Sequence, residues 1–86
     1  MPAYRVEFAA SVRRDFQRLA PSTRSRVDER IKSLAMEPRR GSQKLTGQSA
    51  HRARVGDHRI LYEIDDGARV ITITRVRTAR PSSSDR

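Results

Sequence analysis

The sequence predicts an α+β fold. An N-terminal strand leads into an antiparallel helical hairpin, and a three-stranded antiparallel meander completes a four-stranded sheet with both helices packed on one face. Three observations predict it. The apolar period is two near the N-terminus, lengthens to a helical one from about residue 10, and returns to two after residue 50. Two prolines, Pro21 and Pro38, divide and end the helical stretch. Two pairs of turn residues, Gly56-Asp57 and Asp66-Gly67, break the last third into hairpins.

Each element follows from its residues. Between Ala3 and Phe8, Tyr4, Val6 and Phe8 share one side of a strand, with Arg5 and Glu7 on the other. From Ala10, Val12, Phe16 and Leu19 stand at i, i+4 and i+7, which is one helix face, with Arg13, Arg14, Asp15 and Arg18 turned outward. Pro21 stops that helix and Ser22 is placed to cap the next. In the second helix Val27, Ile31, Leu34 and Ala35 form one stripe that ends at Pro38. Pro38 to Gly47 reads as a basic, turn-rich connection containing Arg39, Arg40, Gly41 and Lys44. Strands follow at Ala50 to Val55, His58 to Ile64 and Arg69 to Val76. The tail from Pro81 to Arg86 carries no apolar residue and is expected to fray, so residues 1–80 are read as a single domain.

Size and composition narrow the function. A chain of 86 residues buries only about 60–65% of the surface it exposes when unfolded, so its core is thin. Nineteen basic residues against ten acidic ones give a net charge of +9. All but Lys32 and Lys44 of the basic residues are arginine, whose planar fork suits phosphate and base edges. A GC-rich genome would favour arginine codons, yet it would not account for the net charge. Such a field attracts polyanions: nucleic acid first, an acidic protein second, an anionic membrane third. The chain has no cysteine and only two histidines, His51 and His58, so neither a metal nor any other cofactor is expected. No apolar run approaches a membrane span or the core of a signal peptide, and the chain is read as cytoplasmic, without a membrane partner.

Treating both turns as two-residue loops fixes a register. Counting back from Gly56-Asp57 pairs Val55 with His58, Arg54 with Arg59, Ala53 with Ile60 and Arg52 with Leu61. Counting out from Asp66-Gly67 pairs Ile64 with Arg69, Tyr62 with Ile71 and Ile60 with Ile73. One face then holds Ala53, Val55, Ile60, Tyr62, Ile64, Ile71 and Ile73 and is the core side. The other holds Arg52, Arg54, Arg59, Leu61, Glu63, Val70, Thr72 and Thr74. Arg54 and Arg59 thus oppose each other with Arg52 beside them, a like-charge arrangement that an anionic ligand would relieve. The helix arginines read as a solvated, steering surface.

The same words of sequence resemble the RelE/ParE toxin superfamily over roughly residues 4–76. The matching pieces are Tyr4-Arg-Val-Glu-Phe8, Phe16-Gln-Arg-Leu19, Ile31-Lys-Ser-Leu34 through Pro38-Arg39, Lys44-Leu45-Thr-Gly47, and above all Arg52-Ala-Arg54-Val-Gly-Asp-His-Arg59-Ile-Leu-Tyr62-Glu-Ile64. The resemblance implies a toxin of a bacterial type II toxin–antitoxin pair, with a cognate antitoxin as partner. In its RelE branch it implies a ribosome-dependent mRNA endonuclease, in which a ribose 2′-OH attacks the adjacent phosphate without a metal. Arg52 and Arg54 match the family's basic pair and Arg59 its phosphate-binding arginine, with Lys44, Arg39 and Arg40 as further RNA contacts. Arg77 or Arg80 fits the arginine that follows the last strand, and with Arg54 and Arg59 they make up the expected catalytic set. The family's subsequent proton-transferring tyrosine has no counterpart, since Pro81-Ser-Ser-Ser-Asp85 follows. His51 and His58 read as surface histidines near strand ends, Tyr62 as a core residue and Glu63 as a sheet-surface charge. Three functions stay open: an mRNA endonuclease, a ParE-like inhibitor of DNA gyrase, and a catalytically impaired relative that binds RNA and antitoxin.

Overall fold

The computed structural model describes residues 3–44 and 50–78. Its elements are β1 (Arg5–Phe8), α1 (Ala10–Gln17), α2 (Pro21–Met36), β2 (Ser42–Lys44), β3 (Ala50–Val55), β4 (His58–Asp65) and β5 (Val70–Thr78). The strands form one five-stranded sheet in the order β1-β5-β4-β3-β2. β1 runs parallel to β5, and every other pair is antiparallel. The α+β class and the sequence of elements are as expected, but the sheet has a fifth strand. β2 lies inside the stretch read as connection. Its residues, Ser42, Gln43 and Lys44, carry no apolar side chain, so no alternation marks it, and it forms by pairing with Ala53, Arg52 and His51.

The helices place their apolar stripes as the spacing requires. Val12 of α1 and Val27, Ile31, Leu34 and Ala35 of α2 are buried against Ala53, Ile60, Tyr62, Ile71, Ile73 and Val76 of the sheet. Pro21 does not stand between the helices but opens α2 at its first turn, where a missing N–H leaves nothing unsatisfied and the fixed φ suits a helix. The cap is Ala20, and no side chain bonds the free N–H groups, so Ser22 does not serve as the cap. Pro81 to Arg86, the segment expected to fray, falls outside the described residues.

The two hairpins behave differently. Val55 pairs with His58 across Gly56-Asp57, with Gly56 at φ +55°, and the whole β3–β4 register is the expected one. A positive φ at the first central residue alone is the pattern that glycine followed by aspartate suits. The β4–β5 loop instead spans four residues, because Asp65 pairs with Val70. The Asp65 carboxylate accepts a bond from the Ala68 N–H at 3.0 Å, and Arg69 takes the left-handed φ of 57°. Ile64 therefore pairs with Ile71 and Tyr62 with Ile73, two residues along from the expected pairing, so the side chains up to Ile73 keep their faces.

Beyond Ile73 the phase changes. The register shifts between Tyr62 and Leu61, where Tyr62 pairs with Ile73 and Leu61 with Arg75, leaving Thr74 as the extra residue of a β-bulge. Val76 then takes the core position, and Arg75 and Arg77 fall in line with Leu61 and Arg59. β1 ends at the level of Ile73, so among the described residues the rest of the β5 edge has no neighbouring strand. α1 takes that place: the Ala9 N–H donates to the Ile73 carbonyl at 2.9 Å, and the Ser11 hydroxyl to that of Thr74 at 2.9 Å. The buried Asp15 carboxylate accepts the Val76 N–H at 2.8 Å and Arg75 Nε at 2.9 Å. Burial opposes the charge on Asp15, but the bonds from Arg75 and Val76 outweigh it and hold the carboxyl below its ordinary range.

Asp15→Ala would orphan the buried Val76 N–H and release Arg75. It is expected to lower stability by about 3 kcal/mol in urea unfolding. Asp15→Asn, which keeps an acceptor, should lose less. Equal losses in the two variants would show that the bond to Val76 contributes little.

Candidate nucleic-acid interface

Pairing across three strands builds the site. Arg54 of β3 stands opposite Arg59 of β4, which stands opposite Arg77 of β5. Strands lie about 4.8 Å apart, so this row of arginines spans roughly 10 Å across the sheet face turned away from the helices. A second row beside it runs Gln43, Arg52, Leu61, Arg75. Among the described residues, no carboxylate lies within ion-pair distance of Arg52, Arg54, Arg59 or Arg77. Arg52 Nη2 donates to the Gln43 side-chain oxygen, which fixes the guanidinium without removing its charge. Gly41, Ser42, Gln43, Arg52, Arg54 and Arg59 line a cleft of about 240 Å³. Repulsion between arginines in register has no carboxylate to compensate it here, and the geometry offers several guanidinium groups to any anion placed on this face.

The other expected contacts lie elsewhere. Arg39 forks onto the Asp66 carboxylate, at 3.2 and 2.8 Å, and Tyr4 donates its hydroxyl to the same group at 2.6 Å. This clamp ties the α2–β2 connection and the N-terminus to the β4–β5 loop, and Arg69 stacks over the Tyr4 ring. Arg40 pairs with Glu37 at 2.9 Å. Both guanidinium groups are thus engaged by carboxylates and are not part of the arginine rows. Lys44 pairs with His51, so strand alternation puts it on the face opposite Arg52. Arg80 falls outside the described residues.

Neither row itself contains a histidine or tyrosine, and half-buried His58 lies beside Arg75 and Arg77 at the β5 edge. Tyr62 is fully buried, its hydroxyl donating to the Pro38 carbonyl, and burial pushes its pKa up. His51 is not a surface histidine. It is buried and stacked on Tyr62 with ring centroids 5.7 Å apart, and burial, then the positive charges of Arg39 and Lys44, push its pKa down. The reason is β2, which covers His51 where the sequence shows only a loop. Glu63 is exposed on the sheet surface as expected.

Two features were not read from the residues. Arg77 enters the row only because of the bulge, and its sequence signal is the slip in apolar spacing from Ile71 and Ile73 to Val76. Gln43 gave no signal, since its role depends on an unmarked strand.

An open, arginine-lined sheet face with a helical pair packed on its other side defines a class of small basic α+β proteins, and comparison with known proteins makes the class specific. Residues 6–81 match the family described as the ParE toxin of the type II toxin–antitoxin system parDE. The chain is 37% identical over 76 residues to Toxin RelG of Mycobacterium tuberculosis, covering 85% of this chain and 87% of that one. Its fold is similar to the toxin–antitoxin complex RelBE2 of the same organism, with a TM-score of 0.82 and 34% identity over 91% of this chain and 99% of that chain. The archaeal RelE–RelB complex of Pyrococcus horikoshii gives a TM-score of 0.79 and 26% identity over 93% and 99% of the two chains. This protein is a toxin of a type II toxin–antitoxin system. It belongs to the RelE/ParE family.

The clamp gives a pH test. Hydrogen bonds from Arg39 and then Tyr4 draw the Asp66 carboxyl down to about 2. Its folded value lies below the unfolded one of about 3.9, so its stabilising effect is complete above roughly pH 4 and is lost as pH falls through the folded value. Arg39→Ala should raise the Asp66 titration midpoint toward the ordinary range in carboxyl NMR. An unmoved midpoint would show that Arg39 does not hold it.

Proposed function

We propose that this toxin cleaves mRNA on the ribosome, with the arginine rows holding the scissile phosphate. The observation that carries the reading is the row Arg54–Arg59–Arg77, set on an open sheet face and unpaired with any carboxylate among the described residues. In the reaction the ribose 2′-oxygen attacks phosphorus as its proton leaves. The bond to the 5′-oxygen breaks, that oxygen takes up a proton, and a cyclic phosphate and a free 5′-hydroxyl result. Arg54, Arg59 and Arg77 stabilise the charge that builds on the phosphoryl oxygens, and Arg52, steadied by Gln43, binds beside them. Arginine keeps its proton at neutral pH, so it serves as an electrostatic group and water carries the protons. The expected pH–rate profile therefore rises steadily instead of forming a bell with a limb near neutrality.

A cognate antitoxin is the second partner in this reading, as RelB is for RelE in the solved complexes. An apolar groove of about 610 Å³ suits an amphipathic segment of it. Phe8, Val12 and Phe16 form its floor, Phe8 being 46% exposed, and Arg13 and Arg24 line its rim, a charge pattern that favours acidic flanks on the segment. The matching ParE family favours a second reading, inhibition of DNA gyrase by binding alone, for which the lack of a histidine or tyrosine within the rows is no obstacle.

Replacing Arg54 and Arg59 together with alanine should lower the rate of ribosomal mRNA cutting by at least a hundredfold while leaving the circular dichroism spectrum and unfolding midpoint close to wild type. Undiminished cutting by the folded double variant would overturn the assignment. DNA damage with intact translation on induction of the wild type would favour the gyrase reading.

A further inference from the structure

The arginine rows do not stop at the β5 edge. Where α1 replaces a strand as the neighbour of β5, Arg18, Arg75, Arg77, His58 and Thr78 surround a cavity of about 250 Å³, with Asp15 at its base. It adjoins a second hollow lined by Arg14, Arg18 and Arg75. Asp15 is the carboxylate facing this cavity, and it is already committed to the Val76 N–H and Arg75. Its fork on Arg75 uses Nε at 2.9 Å and Nη2 at 3.4 Å, so one edge of the guanidinium is anchored and the other N–H groups stay available. Arg18 closes the helix C-terminus and is exposed, and Arg77 belongs to both the cavity and the Arg54–Arg59 row. Three guanidinium groups against one committed carboxylate leave the cavity positive, and buttressing of Arg75 reduces the entropy lost on binding.

We propose that this cavity at the junction of α1 and β5 is a second phosphate subsite, walled by Arg18, Arg75 and Arg77, which seats the backbone of a nucleotide flanking the one in the arginine row. This rests on the proposed RNA-binding function and extends it. The RNA strand crosses the sheet perpendicular to its strands, from Arg54 over Arg59 to Arg77, and passes round the β5 edge onto α1. Arg18 is thereby a binding residue, not one of a diffuse steering surface. A dinucleotide fills the row alone, and a longer strand reaches the subsite.

Titration of the full chain with 2′-O-methyl RNA, which cannot be cut, tests this with a dinucleotide and a hexanucleotide, followed by NMR and fluorescence anisotropy. Arg18 is exposed, so Arg18→Ala should leave the fold intact. It is expected to weaken hexanucleotide binding about tenfold, leave dinucleotide binding unchanged, and reduce the slope of log K against log salt by about 0.7 for the hexanucleotide. Arg18→Lys should restore most of the slope. Hexanucleotide binding by Arg18→Ala equal to wild type would overturn the subsite while leaving the arginine row standing. Dinucleotide binding unaffected in the Arg54→Ala, Arg59→Ala double variant would instead remove the row itself, and with it the function on which the subsite rests.

Discussion

The arrangement turns on Asp15. A strand longer than its neighbour leaves backbone donors and acceptors without partners, and here β1 ends level with Ile73 while β5 continues to Thr78. The carboxylate of Asp15, buried under α1, takes the Val76 N–H and fixes Arg75 at the same time. With Ser11 on the Thr74 carbonyl, it makes the first helix act as the missing strand. The bulge at Thr74 is held from the other side, where the threonine hydroxyl donates to the Leu61 carbonyl at 3.1 Å. Between them these bonds set the phase of the last four residues of β5, and so decide which side Arg75 and Arg77 face. A buried aspartate of a short helix thus controls the composition of the basic surface 60 residues further along the chain.

Two electrostatic arrangements coexist. At the loop end of the sheet, Asp66 gathers Arg39 and Tyr4, with Arg69 over the tyrosine ring, and every charge there has a partner. On the open face Arg75 alone has one, Asp15, while Arg52, Arg54, Arg59 and Arg77 have none among the described residues. The first arrangement stabilises the chain, and the second works against a core that is thin because the chain is short. The contrast between the two ends separates the arginines held in ion pairs from those left uncompensated, a distinction that composition does not draw.

Much of this was legible in the residues. Val27, Ile31, Leu34 and Ala35 announce the buried face of α2, and Gly56-Asp57 fixes β3 against β4 to the residue, so Arg52, Arg54 and Arg59 come together as the spacing requires. What was not legible depended on contacts between distant parts. β2 has no apolar side chain and exists through its partner, and without it neither the burial of His51 nor the role of Gln43 is visible. Asp66 reads as a turn residue, but Arg39 and Tyr4 draw it into a clamp and the loop widens to four residues. Asp15 reads as solvated because nothing local reveals an unpaired strand edge beside it.

The narrowness of β2 has a bearing on how the chain behaves in company. An outer strand of three polar residues offers few backbone groups for another chain to template on, and the opposite margin is shared between a four-residue strand and a helix. With a charge of +9 adding mutual repulsion, both flanks discourage the lateral stacking by which sheets polymerise. A protein built to present an unneutralised basic face is thereby kept from quenching that face by aggregation.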